Sequence, residues 1–156
     1  MKLTTKQDIE APLAFAFQAL SDFEAWERSA MRRGAEVSRT DKLRQPGPGM
    51  GWLTQFRYRG KDRTMTIRLD EIDVPSRLTF SGMSAIVEGQ VAVDLVELTA
   101  KRTRLHVTLN IKPKSLGAKL YVQALKLARR RVDRSYAQRI AQFATEIEDR
   151  FRNTKP

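Results

Sequence analysis

Apolar and polar side chains alternate over the first nine residues, a weak form of the pattern typical of a β-strand. The apolar spacing then becomes helical. It predicts one short helix over Leu13–Leu20 and a second that begins after the N-cap Asp22 and ends near Arg32. Phe23 and Trp26 are expected on the buried side of the second helix.

A period of two returns after these helices and continues from residue 37 to residue 111. Turn signals at residues 45–51, 59–62 and 73–76 divide this region into strands. The pattern predicts six further strands, and together with the first they form an antiparallel sheet with one buried and one solvated face. The apolar residues expected on the buried face are Trp52, Phe56, Met65, Ile67, Leu69, Leu78, Phe80, Val87, Val91, Val93, Leu95, Leu105, Val107, Leu109 and Ile111.

The last part of the chain predicts one long amphipathic helix, from Leu116 to about Arg152. Its apolar positions are Leu125, Ala128, Val132, Tyr136, Ile140, Phe143, Ile147 and Phe151. A helix of about 50 Å is the only element large enough to cover the buried face of the sheet. We therefore predict an α+β fold, in which a curved seven-stranded antiparallel sheet wraps around the long C-terminal helix. Two short helices lie between strands 1 and 2, one domain spans residues 1–156, and a cavity is expected between sheet and helix.

Composition excludes several kinds of site. The 156 residues include no cysteine and one histidine, His106, so a disulfide scaffold, a thiol nucleophile and a cysteine- or histidine-rich metal site are excluded. We expect no cofactor and no metal. Neither a signal peptide nor an apolar run long enough to span a membrane is present, and a cytoplasmic location is expected.

The net charge of +11 lies in the last third of the chain. Residues 1–100 hold 14 basic and 14 acidic side chains, whereas residues 101–156 hold 15 and 4. Such a basic region is compatible with a solvated helix face, an anionic membrane surface, an acidic partner or nucleic acid. Nucleic acid is disfavoured because no aromatic residues interleave the basic ones and no known motif is present. The outward basic positions of the predicted helix are Lys119, Lys126, Arg130 and Arg134.

Several short motifs occur in a characteristic order along the chain. They are Ile9-Glu10-Ala11-Pro12 with Phe15, Phe17 and Leu20, then Asp22-Phe23-Glu24-Ala25-Trp26, the turn Pro46-Gly47-Pro48-Gly49 before Trp52, and Asp73-Val74-Pro75-Ser76-Arg77-Leu78. This order resembles the helix-grip superfamily, also called START-like or SRPBCC, and within it the polyketide cyclase/dehydrase-like branch. The resemblance covers the whole chain and implies an internal pocket for a hydrophobic or amphipathic small molecule.

The candidate ligand-binding residues are those expected to line this pocket. They are Trp52, Thr54, Phe56, Tyr58, Met65, Phe80, Val91 and Val93 from the sheet, with Arg129 and Tyr136 from the helix. Tyr136 either packs in the core or offers its hydroxyl to a ligand. Arg129 either pairs with Asp133, one turn further on, or holds a ligand carboxylate or enolate oxygen in the pocket.

These observations lead to three hypotheses about function. The first is the binding of a largely apolar small molecule, with no catalytic residues evident. The second is a polyketide cyclase or dehydrase in which Arg129 and Tyr58 position a carbonyl group. The third is an interaction module whose basic helix face meets an anionic membrane or an acidic partner. Monomer and homodimer both remain open.

Overall fold

The computed structural model describes residues 1–154, and the last two residues of the predicted domain lie outside the described residues. Seven strands and four helices follow one another within residues 1–154. In order they are β1 (Lys2–Ile9), α1 (Leu13–Leu20), α2 (Phe23–Arg32), β2 (Glu36–Arg39), β3 (Gly51–Tyr58), β4 (Lys61–Asp73), β5 (Arg77–Met83), β6 (Val87–Thr99), β7 (Arg102–Pro113), α3 (Leu116–Leu127) and α4 (Arg129–Thr154).

The seven strands form one antiparallel sheet in the order β1-β7-β6-β5-β4-β3-β2. The sheet is open, with β1 at one edge and β2 at the other, and α1 and α2 lie between these two strands in sequence. The predicted α+β helix-grip fold is confirmed.

Local sequence explains where the short elements begin and end. The Asp22 side chain accepts a hydrogen bond of 3.2 Å from the backbone N–H of Ala25, which caps α2 as predicted. Arg59 and Gly60 both have positive φ, 53° and 74°, and form the two-residue turn that joins β3 to β4. Ser115 caps α3 by accepting a bond of 3.1 Å from Ala118.

The prediction of one continuous C-terminal helix is wrong. The helix breaks at Ala128, whose φ of −102° and ψ of 31° separate α3 from α4. The two segments pack on different parts of the sheet: α4 lies mainly against β1, and α3 lies against β7. Ala128 itself is exposed. No helix among residues 1–154 is both long and apolar enough to cross a bilayer.

The fully buried core lies toward one end of the sheet. Ile9, Leu69, Leu78 and Leu105 have almost no exposed surface, and α1 and the C-terminal half of α4 pack over them. Trp26, which the sequence places on the buried side of α2, is 38% exposed.

Two contacts hold Trp26 at the edge of the core. Its ring lies 5.0 Å from that of Phe143, and its indole N–H donates a hydrogen bond of 3.0 Å to the backbone oxygen of Leu20. The indole nitrogen reaches its partner near the surface, so the ring stays at the margin of the core.

Candidate functional site

The concave face of strands β3 to β6 is only partly covered by the helices. Alternation along each strand brings the predicted sheet residues to this face, and the strand register places Thr54 opposite Met65 and Phe80 opposite Val91. Most of them are half-buried: Thr54, Phe56, Met65, Phe80, Val91 and Val93. The two exceptions are Trp52, which is buried, and Tyr58, which is exposed.

Trp52 belongs to the hydrophobic core. Its ring lies 5.5 Å from that of Phe23, and the Arg39 guanidinium lies 5.8 Å from the Trp52 ring centroid. The indole N–H donates a hydrogen bond of 2.9 Å to a carboxylate oxygen of Glu27. With its polar group paired and its ring packed, Trp52 anchors α2 to β3.

The hydroxyls of Thr54 and Tyr136 are both used within the fold. Thr54 donates to the backbone oxygen of Met65 at 2.9 Å, and Tyr136 donates to that of Val107 at 2.9 Å. Burial raises the pKa of Tyr136 because the apolar surroundings disfavour the phenolate. The bond from Tyr136 connects the first third of α4 to β7, in keeping with the packing interpretation of this residue.

Tyr58 lies at the rim of the concave face, where β3 meets α3. Its hydroxyl is 3.2 Å from that of Tyr121, and Arg59 donates a hydrogen bond of 3.3 Å to the Tyr121 oxygen. The guanidinium of Arg59 also lies 4.5 Å from the Tyr121 ring centroid. These three residues connect the β3–β4 hairpin to α3.

The structure places Arg129 outside the apolar stripe. Arg129 is exposed, and its Nε donates to the Asp133 carboxylate at 3.0 and 3.1 Å. A second guanidinium nitrogen donates to the backbone oxygen of Lys2 at 2.6 Å. This is the pairing that the sequence offered as the alternative to a pocket position. The predicted stripe assumes one unbroken helix, and the break at Ala128 changes the direction in which later residues point.

Arg63, which is absent from the predicted pocket residues, is a charged residue at an inward-facing position of β4. Arg63 is half-buried on β4, opposite Phe56 and in phase with Met65 and Ile67. Its Nε is buried and has no hydrogen-bond partner among residues 1–154. The same period-two alternation that identifies Met65 as inward-facing also identifies Arg63.

Two glycines lie side by side on the concave face. Gly82 on β5 and Gly89 on β6 are directly paired, and their row continues to Ile67 on one side and Ile111 on the other. A side chain added at Gly89 would meet only the backbone oxygen of Asn110, at an ordinary contact distance of 3.5 Å. The pair therefore leaves a shallow area in an otherwise apolar surface.

Two adjoining clefts open between α2 and the C-terminal half of α4. Their volumes are about 600 and 570 Å³, and Trp26, Ser29, Arg33 and Phe143 line both. Among the predicted pocket residues, Phe56 lines the second cleft. The second cleft therefore reaches the concave face at Phe56. Arg63 is the residue paired with Phe56 on the neighbouring strand.

Comparison with known proteins gives a match to one family model. Residues 1–148 match the family described as polyketide cyclase / dehydrase and lipid transport. No curated protein matches the chain.

Solved structures share the fold at low sequence identity. An aromatase/cyclase, Zhui, from Streptomyces sp. R1128 is 17% identical with a TM-score of 0.68, over 96% of this chain and 94% of that one. The protein TTHA0849 from Thermus thermophilus is 13% identical with a TM-score of 0.66, over the full length of both chains. A START superfamily protein from Mycobacterium smegmatis is 12% identical with a TM-score of 0.57, over 89% of this chain and 98% of that one.

Proposed function

Because the chain belongs to the polyketide cyclase / dehydrase and lipid transport family, we propose that it binds a largely apolar small molecule that carries one acidic group. Family and fold together indicate a polyketide cyclase/dehydrase or a START-like ligand-binding domain. The proposed ligand lies against the concave face of β3–β6, beneath α3 and α4. Its acidic group pairs with Arg63.

The observation that carries this proposal is the buried Nε of Arg63 without a hydrogen-bond partner among residues 1–154. Burial of a polar N–H without a partner is unfavourable, and burial of a charged one more so. A ligand carboxylate would supply the missing acceptor. It would also form the bidentate arrangement that a guanidinium favours.

The inward-facing residues along the concave face set the character of the rest of the ligand. Phe56, Met65, Ile67 and Phe80 are half-buried and apolar, so contact with an apolar chain or ring removes more of their surface from water. The other charged residues at inward positions of β3–β7, Lys61 and Glu97, are exposed near the ends of their strands. One charge within an apolar surface fits an amphipathic acid.

The clefts beside Phe56 supply a route for the ligand. They open to solvent between α2 and α4, and one of them reaches Phe56, whose partner across the sheet is Arg63. Arg33 lines both clefts and adds a second positive charge along this route. The acidic end of a ligand would thus be attracted both at the entrance and at its final position.

Displacement of the fluorescent probe anilinonaphthalene sulfonate tests the proposal. Laurate and dodecanol have the same chain length, but only laurate carries an acidic group. Arg63→Met should weaken laurate binding by about tenfold or more, the value of a hydrogen bond between charged groups, and leave dodecanol binding unchanged.

Arg68→Met is the matched control, because Arg68 lies on the same strand but faces solvent, where it pairs with Asp70 at 2.7 Å. It should leave both affinities unchanged. Arg63→Lys should restore part of the laurate affinity, since it keeps the charge but loses the bidentate geometry. Equal losses for laurate and dodecanol in Arg63→Met, or no binding of either by the unmodified protein, would contradict the proposal.

A further inference from the structure

Helix α3 carries three leucines on its solvent side. Leu116, Leu120 and Leu127 are 75%, 64% and 92% exposed. With a rotation of about 100° per residue, they lie within about 40° of one another around the helix axis. We call these three residues the leucine stripe. Apolar side chains that are aligned in this way form a continuous exposed surface.

The fold does not need the leucine stripe for packing. The opposite side of α3 carries Ala118, Val122 and Leu125, which are half-buried or buried. These residues face the sheet, where α3 contacts β7. Helix α3 therefore has an inner apolar side that is covered and an outer apolar side that is not, and the outer side is available to a partner.

Basic side chains lie beside the leucine stripe. Lys119 and Lys126 are about 60° to 80° around the helix from Leu116. Both are exposed, and neither forms an ion pair with any residue in the described range 1–154. Their long aliphatic stems allow the ammonium groups to reach outward past the leucines.

The chain segment that contains α3 has no acidic residue. Residues 101–132 contain ten Lys and Arg and no Asp or Glu. On β7, Arg104 pairs with Asp8 of β1 at 2.9 Å, and Arg102 pairs with Glu10, just after β1, at 2.6 Å. Lys119 and Lys126 have no such partners within residues 1–154, so two unpaired positive charges lie beside the leucine stripe.

We propose that the leucine stripe docks α3 onto an anionic membrane surface. The leucines enter the boundary between headgroups and acyl chains, and Lys119 and Lys126 contact lipid phosphates. An exposed apolar stripe with adjacent basic residues is the arrangement expected of an interfacial helix. A second copy of this chain fits the surface poorly, because it would bring the same unpaired positive charge against it.

Vesicle sedimentation of the full chain tests this docking. The protein should bind vesicles of phosphatidylcholine containing about one-third phosphatidylglycerol at least tenfold more tightly than phosphatidylcholine alone. Lys119→Gln and Lys126→Gln should each weaken binding about fivefold at low salt. The triple variant Leu116→Gln, Leu120→Gln and Leu127→Gln should weaken it by about a hundredfold, since each leucine loses its apolar contact with lipid.

Two variants at other exposed positions serve as matched controls. Lys101→Gln removes one charge from the β6–β7 turn, and Leu43→Gln removes one exposed leucine from the loop between β2 and β3. Neither should change vesicle binding. Because the replaced leucines are exposed, the triple variant should keep the thermal midpoint of the unmodified protein, and circular dichroism checks this.

A single fluorescent label can report whether the leucine stripe inserts into the membrane. The chain has no cysteine, so Leu127→Cys carries one environment-sensitive dye at a unique position. The dye emission should shift to the blue on anionic vesicles. Unshifted emission, equal binding to both kinds of vesicle, or equal effects of Lys126→Gln and Lys101→Gln would overturn the proposal. A dimer in the absence of lipid that the leucine triple variant dissociates would assign the stripe to protein association instead, and would also overturn it.

Discussion

The hydroxyls of Tyr58 and Tyr121 lie 3.2 Å apart and join the end of β3 to the middle of α3. The hairpin that carries Tyr58 is at the open part of the sheet, far from the buried core around Leu78 and Leu105. A hydrogen bond between exposed groups contributes about 1 kcal/mol. This contact can therefore open without disturbing the core, and it sets how closely α3 approaches the hairpin.

Removing one hydroxyl of this pair should change the titration of the other. The hydrogen bond from Tyr121 lowers the pKa of Tyr58, because it stabilises the phenolate, and Arg59 adds to the effect. In Tyr121→Phe the Tyr58 pKa should rise toward its ordinary value. Spectrophotometric titration of the phenolate absorbance measures this. Tyr136→Phe is the control and should leave the Tyr58 titration in place; an unchanged Tyr58 titration in Tyr121→Phe would contradict the assigned hydrogen bond.

Filling the shallow area at the glycine pair should weaken ligand binding. Gly89→Val adds a branched side chain to the concave face, where only an ordinary contact with the Asn110 oxygen awaits it. We expect laurate affinity to fall about tenfold, while the thermal midpoint stays the same or rises because valine favours a strand. Ala92→Val, on the opposite face of β6, is the control. Equal laurate affinity in the two variants would show that the ligand does not use this area.

The fold is predictable because its signals are local. Period-two alternation identifies the strands, and turn residues such as Arg59 and Gly60 mark where they reverse. The helix break at Ala128 is not predictable in the same way. The apolar spacing continues through it and alanine favours helix, so only the separate contacts of α3 and α4 with the sheet reveal the break.

Removal of the buried Thr103 hydroxyl should destabilise the core. Thr103 has no exposed surface, and its hydroxyl donates to the backbone oxygen of Ala11 at 2.9 Å. Thr103→Val preserves shape but leaves that oxygen without this donor, and should lower the free energy of unfolding by about 1 to 3 kcal/mol. Urea denaturation measures the loss. Thr108→Val, on the same strand, should cost less than half as much.

Asp41, in the loop before β3, should make the stability of the protein depend on pH. The Asp41 carboxylate accepts hydrogen bonds from Arg39 at 2.5 and 2.8 Å, and from the backbone N–H groups of Gly51 and Leu43 at 2.8 and 2.9 Å. The Arg39 side chain contributes most to holding the Asp41 pKa well below its usual value of 3.8. The pKa of Asp41 is thus lower in the folded protein than in the unfolded chain. The Asp41 carboxylate therefore contributes its full stabilisation at a pH above its unfolded pKa, and this stabilisation is lost as the pH falls through its folded pKa.

Asp41→Asn should therefore destabilise the protein at neutral pH. The difference in stability between Asp41→Asn and the unmodified protein should become smaller as the pH falls below 3.8. Urea midpoints measured across this range give the comparison. Asp62→Asn controls for the loss of one surface charge, since its side chain is 91% exposed. A difference between Asp41→Asn and the unmodified protein that stays constant with pH would contradict the role given to Asp41.

The candidate site is harder to predict than the fold. Alternation correctly brings Phe56 and Met65 to the concave face, and it also identifies Arg63, whose charge makes it easy to overlook as an inward-facing residue. The predicted position of Arg129 depends on helical phase, which holds only along an unbroken helix. Hydrogen-bond partners such as the Val107 oxygen for Tyr136 depend on contacts distant in sequence, and no local pattern encodes them.

The break at Ala128 has a consequence for how the chain tolerates changes in length. In a continuous helix, one inserted or deleted residue rotates everything beyond it by about 100° and moves it by about 1.5 Å. Here the connection is an exposed turn, so an insertion beside Ala128 can be absorbed locally. Helix α3 can therefore change its length and outer surface while α4 keeps its register on β1.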